Sequence, residues 1–195
     1  MTTESLTELQ EDACYVAVAH DDIDVKAAMD RVRSPKAGAI VLFAGTTRDN
    51  FQGRPVLELH YTAYEPRALL TMLSICKAVK RKYSLISIAM IHRLGDVPIG
   101  QESILIAVSS PHRQAAWKAG EEALEECKKQ VEVWKRELTG DMDGGVWRAN
   151  CNEAAGTLAG EDDNASPDVH ARGPVIRPAR PGERGHGPVV HPSAP

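Results

Sequence analysis

Apolar and polar positions follow two periods along the first 150 residues. Residues 14–19 (CYVAVA) form a short apolar run, which predicts a strand. Residues 22–33 set aspartates around Ile23, Ala27 and Ala28, the pattern of a short capped helix. Residues 37–44 (AGAIVLFA) are continuously apolar with β-branched content and predict a buried strand. A polar loop follows over 45–55 (GTTRDNFQGRP), then an alternating strand over 56–64. Pro66 marks a helix start, and Ala68, Leu69, Met72, Leu73, Cys76 and Val79 repeat at helical spacing through Lys82.

Residues 85–91 and 103–108 read as strands joined by the turn-rich GDVPIG. Ser110-Pro111 predicts a helix start, serine as N-cap and proline in the first helical position. That helix is expected to reach about Lys128 with Ala116, Ala119, Ala123, Leu124 and Cys127 inward, followed by a strand over 131–138 and a turn over 141–145. Two long helices interleaved with five or six strands predict an α+β fold, a mixed sheet with helices on one face.

Composition changes sharply near Cys151. Residues 152–195 hold no Phe, Trp or Tyr, but seven prolines and six glycines. Such a stretch buries too little apolar surface to offset its ordering entropy, so a disordered tail is expected there, and also over the acidic residues 1–12. The working domain is expected over 13–151. The four cysteines (Cys14, Cys76, Cys127, Cys151) are scattered without a CxxC pair, so neither a zinc knuckle nor a disulfide framework is supported. The longest apolar run, 37–45, is far short of the roughly 18 residues of a membrane span, and the N-terminus lacks a secretory pattern. A net charge of −4 argues against nucleic acid as a bulk electrostatic partner. The expectation is a cytosolic chain without metal or resident cofactor.

No GxGxxG, P-loop, GxSxG or HExxH motif occurs. Basic residues instead gather at element ends. His112 and Arg113 fall in the expected first turn of a helix, where the dipole disfavours cations unless an anion binds. Lys128 sits near a helix C-terminus, which the dipole favours. Lys135 shares a strand face with Val131 and Val133, so its stem lies along apolar surface. A partly desolvated amine beside other cations is a better base or nucleophile. The loop 45–50 offers backbone N–H groups to a phosphate, with Arg48 to close on it. Each feature has a plainer structural explanation; together they describe a cationic pocket for a small phosphorylated or carboxylated ligand. His92-Arg93 reads as a structural pair, and Trp117, Trp134 and Trp147 as core residues.

Four ordered segments, FAGTTRDN (43–50), IHRLGDVPIG (91–100), VSSPHRQAAW (108–117) and the stretch from Lys128 to WKRE (134–137), resemble the large, catalytic subunit family of molybdopterin synthase. The resemblance covers about 13–150 and implies an α/β hammerhead fold. It implies sulfur transfer onto cyclic pyranopterin monophosphate from a thiocarboxylate on the C-terminal Gly-Gly of a small ubiquitin-like subunit. It further implies a heterotetramer, with a central dimer of large subunits. By motif, Lys128 and Lys135 match the family's two active-site lysines, while Arg48, His112 and Arg113 match substrate- and anion-binding positions. Arg148 is a further candidate. One departure stands out: Glu132 replaces a common proline, adding negative charge near the lysines and loosening the turn. That departure is the one feature favouring a scaffold without turnover over an enzyme; an RNA-binding α+β domain fits poorly with the net acidity.

Overall fold

Alternation along three adjacent strands builds two cores on opposite faces of one sheet. In the computed structural model the described residues are 7–51, 54–139 and 147–149. The chain divides into a unit of Met1–Ala159 and a second of Gly160–Pro195. The second unit, the expected tail over 152–195 and the expected turn over 141–145 lie outside the described residues.

The first sheet contains β1 (Glu8–Glu11), β2 (Cys14–Ala19), β3 (Ala39–Thr46), β6 (Ser87–Arg93) and β8 (Glu102–Ser110), in the order β1-β2-β6-β8-β3. Only the β2–β6 pair is parallel. Successive side chains point to opposite faces. Cys14, Val16, Val18, Ile88, Met90, Ile106 and Val108 therefore join one core, and Tyr15, Ala17, Ala89, Ile91, Leu105 and Ala107 the other. The larger core is closed by α2 (Glu65–Tyr83) and α3 (Arg113–Gln130), which present the apolar rows expected from their spacing. Pro66 enters the first turn of α2, and Ser84 ends it in the left-handed region at φ 50°.

The smaller core is closed by α1 (Val25–Arg31), whose N-cap Asp24 accepts from the Ala27 N–H at 2.9 Å. The two long helices thus share one face, as expected, and the short α1 takes the opposite one. Position 14–19 alternates between two apolar sets, and neither face can be left bare. A correction concerns the N-terminus: Glu8–Glu11 pairs antiparallel with β2 where disorder was expected over 1–12. An edge strand needs only one paired side, so a polar segment suffices.

The second sheet comprises β4 (Asn50–Phe51), β5 (Arg54–Ala63), β9 (Val133–Thr139) and β10 (Trp147–Ala149), in the order β10-β9-β5-β4, with β7 (Gly95–Pro98) also on β5. β7 lies inside the expected GDVPIG turn and β4 inside the expected loop; each is too short for a period to register. The last helix starts later than expected: Ser110 ends β8, and His112 is the N-cap.

Candidate functional site

The register of the second sheet decides what faces inward. Tyr61 pairs with Lys135, Leu59 with Glu137, and Arg148 with Lys135. These side chains share one face, and all of them but Arg148 meet the ends of β3, β8 and α3 around an open cavity of about 230 Å³. Arg48, Asn50, Tyr61, Ser103, Lys128, Lys135 and Glu137 supply its polar lining, and Phe43, Leu59 and Leu124 part of its apolar wall. The loop after β3, the end of α3 and the strand β9 that follows it thus bring Arg48, Lys128 and Lys135 to one place.

Arg48 follows β3 in a loop held by its backbone. The Thr47 N–H donates to the Gln101 carbonyl at 3.1 Å, and the Thr47 carbonyl accepts from Gly100 at 2.9 Å. The expected phosphate cradle of backbone N–H groups is therefore not offered by Thr47, whose amide is already used; the Arg48 side chain remains. Lys128 stands in the last turn of α3. The Lys135 side chain is 24% exposed and ion-paired at 3.6 Å to Glu137, which also lies 3.7 Å from Arg148. Glu137 belongs to the WKRE segment but had no assigned role. Its position two residues beyond Lys135 on a strand was the available signal.

His112 and Arg113 are exposed and do not line the cavity. The reason is geometric: Arg113 and Lys128 lie at opposite ends of α3, about 22 Å apart at 1.5 Å per residue. Within one chain, a small ligand cannot touch both.

Glu132 corrects another expectation. Its carboxylate accepts from Arg67 Nε at 2.6 Å and from Thr71 Oγ1 at 3.0 Å, both on α2, and it does not line the cavity. Burial works to raise its pKa, but these bonds outweigh it and hold the carboxyl below its usual range. Nor is the turn loosened. Val131 sits at φ −75°, ψ 130°, the extended conformation that a residue before proline adopts.

The three tryptophans are exposed, at 64% for Trp117, 41% for Trp134 and 40% for Trp147. With Lys135 facing the cavity, Trp134 must face outward. Trp147 shares that outer face, edge-on to His60 and under the Arg136 guanidinium, 5.2 Å from its ring centre. His92-Arg93 is structural, as expected. His92 is buried with Nδ1 2.9 Å from the Arg93 carbonyl, and Arg93 ties Asp22, Gln101 and the Asp96 carbonyl together. The three described cysteines are buried free thiols. Burial raises all three pKa values, that of Cys127 to about 12.

Comparison with known proteins narrows what such a site does. The sequence profile described as MoaE protein matches residues 18–130. A molybdopterin synthase catalytic subunit of Sclerotinia sclerotiorum is 68% identical over 187 residues, 95% of each chain. The protein of that name from Pyricularia oryzae is 63% identical over 166 residues, 84% of this chain and 88% of its own. Among solved structures, molybdopterin synthase from Staphylococcus aureus superposes with a TM-score of 0.64 at 32% identity, over 67% of this chain and 94% of that one.

Proposed function

The chain belongs to the MoaE family, and from that premise we propose that it transfers sulfur as the catalytic subunit of a molybdopterin synthase, in the cytosol, during molybdenum cofactor biosynthesis. The observation that carries this reading is the convergence of Arg48, Lys128 and Lys135 on one cavity. Cyclic pyranopterin monophosphate brings a phosphate, and the thiocarboxylated tail of a small ubiquitin-like partner brings a second anion; a cationic site neutralises both. An open cavity admits the end of an extended tail. The described cysteines, buried and held protonated, are poor sulfur carriers, which fits a sulfur atom delivered from outside.

In each transfer the thiocarboxylate sulfur forms a C–S bond to a side-chain carbon of the pterin as a C–O bond at that carbon breaks, the oxygen leaving as water or with the phosphate. Water then cleaves the acyl–sulfur bond, so the tail leaves as a carboxylate and the sulfur stays on the substrate. Lys128 is assigned to the tail carbonyl, whose oxyanion it stabilises, and Lys135 to the pterin, where it assists proton transfer.

His112 and Arg113 join this site from a second copy. β3 is an edge strand of eight residues, AIVLFAGT, uncharged and about 26 Å long. Such an edge favours pairing with another strand. If two copies pair antiparallel along β3, the Ala39 end of one lies beside the Thr46 end of the other. Ala39 is paired with Ser110, two residues before His112, and Gly38 is so close to Pro111 that an added Cβ would lie 2.4 Å from its carbonyl oxygen. Each copy's His112-Arg113 turn is thereby carried toward its neighbour's Arg48.

Reconstitution tests the reading. The protein, a thiocarboxylated small subunit and cyclic pyranopterin monophosphate are expected to yield molybdopterin, and Lys128→Ala or Lys135→Ala to abolish it. Stable complex without product, with substrate intact, would overturn the enzymatic reading. Mixing inactive Lys135→Ala and Arg113→Ala copies is expected to restore about a quarter of wild-type activity, because half the dimers then carry one intact shared site of two. No recovery would remove the second copy from the site.

A further inference from the structure

The cations of the cavity are hydrogen-bond donors, and a ligand with ring N–H groups needs an acceptor among them. Arg48, Lys128 and Lys135 donate only. The Glu137 carboxylate is engaged by Lys135 and Arg148. Tyr61 lies directly opposite Lys135 in the sheet register, is 6% exposed, and still lines the cavity.

Its surroundings fix how the phenol stands. The ring meets His92 edge-on, with centroids 5.1 Å apart and planes at 67°. His92 is fixed in turn, 1% exposed and bonded through Nδ1 to the Arg93 carbonyl. Ser103 lines the same cavity, and its hydroxyl is a polar neighbour that favours the ionised form of Tyr61. Ser103 donates its own hydrogen to the Gly45 carbonyl at 3.2 Å. With the Ser103 hydrogen committed to Gly45, the phenol oxygen keeps lone pairs able to accept from the cavity side. Burial, the largest influence, raises the Tyr61 pKa, with Glu137 adding to it and Ser103 opposing, so the group remains a neutral phenol. A phenylalanine would fill the same core position, so packing alone does not call for the hydroxyl.

We propose that Tyr61 is a specificity-determining residue of this cavity: its oxygen, set beside Lys135 by His92 and Ser103, accepts a hydrogen bond from a ring N–H of the ligand while the cations hold the anionic part. This rests on the reading of a pterin monophosphate as substrate, because a pterin ring carries N–H donors and a bare phosphate ester or glycine tail carries no such ring. The interaction divides recognition in two, with charge selecting the phosphate and Tyr61 selecting the heterocycle.

Calorimetric titration of wild type, Tyr61→Phe and Lys135→Ala with cyclic pyranopterin monophosphate, and separately with inorganic phosphate, tests this division. Tyr61→Phe is expected to weaken pterin binding by about three- to tenfold, the worth of one neutral hydrogen bond, and to leave phosphate binding unchanged. Lys135→Ala is expected to weaken both. In turnover, Tyr61→Phe raises KM for the pterin with kcat within about twofold. Pterin affinity equal to wild type, or an equal loss toward phosphate, overturns the assignment. Should Tyr61→Phe fail to fold, Ser103→Ala reads the same hydroxyl from its other side, with a smaller loss confined to the pterin; no loss there overturns it. Wild type that binds no pterin monophosphate would take down the proposed function itself, whereas wild-type binding matched by Tyr61→Phe takes down only Tyr61.

Discussion

The two sheets each hold a strand of seven residues, β6 in the first and β9 in the second, and these behave in opposite ways. β8 and β6 bury every position but the first, on two faces at once, and carry almost nothing that can react. β9 exposes Trp134 and turns Lys135 and Glu137 into a cavity closed on one side only by strand and helix ends. A strand sandwiched between two cores must be apolar throughout and serves stability. A strand with one open face can keep long charged side chains partly desolvated without full burial, which is where chemistry is affordable. Substitutions should therefore separate cleanly, with the first sheet reporting on stability and the second on activity.

Lys135→Ala carries the largest expected effect. Molybdopterin formation should fall by about a thousandfold, roughly 4 kcal/mol of transition-state stabilisation, with the melting temperature little changed. A melting temperature lowered as much as a core deletion lowers it would mean that Lys135 is structural and would erase the contrast.

Ile106→Ala is its counterpart on β8. Ile106 is 1% exposed within the larger core. Removing its side chain should cost about 3 kcal/mol in urea unfolding with an unchanged m-value. Protein that remains folded should retain near-normal turnover. A loss of activity beyond the loss of folded protein would show that the first sheet also sets the site.

His92 stands at the seam, on β6 with its ring against Tyr61 of β5, and makes the contrast pH-dependent. Burial lowers its pKa from 6.5 to about 4. The unfolded chain therefore binds more protons than the folded one between those values, and stability falls as pH drops through that window. The contribution is complete above pH 6.5 and lost toward pH 4, up to about 3 kcal/mol in all. Urea midpoints at pH 7, 5 and 4 should show a steeper acid loss in wild type than in His92→Phe. Parallel slopes would mean that His92 is not neutral in the fold.

The same division explains what the sequence could disclose. The strand over 14–19 was read with its observed bounds because continuous apolarity is a strong signal, whereas β4, β7 and β10 are two to four residues long and leave no period. The side of the sheet taken by α1 depends on which apolar set of β2 it covers, and both sets are apolar. Arg48, Lys128 and Lys135 were legible through motif resemblance, and the outward turn of Trp134 follows from strand parity with Lys135. The 22 Å separation of Arg113 from Lys128 was also implicit in helix length. Tyr61 and Ser103 were not legible, since their place in the site depends on register between β5 and β9 and on the end of β8 meeting both.

The smallest expected effect lies at the turn that leads from α3 into the second sheet. Glu132 looked like a disturbance of the lysines, yet its charge is spent on Arg67 and Thr71 of α2. Arg67 is 70% exposed at its side chain, so solvent screens this pair heavily and it holds the turn only weakly. Val131 already holds the backbone that precedes a proline. Glu132→Pro therefore loses a screened ion pair, together with the carboxylate's bond to its own backbone N–H, and gains by restricting the unfolded chain, small effects of opposite sign. Stability should change by less than about 1 kcal/mol, and turnover should stay within about twofold of wild type. If turnover instead rises or falls tenfold while the melting temperature holds, the turn tunes the cavity lysines, and the boundary between a stabilising layer and a reactive one would have to be drawn inside α3 rather than at its end.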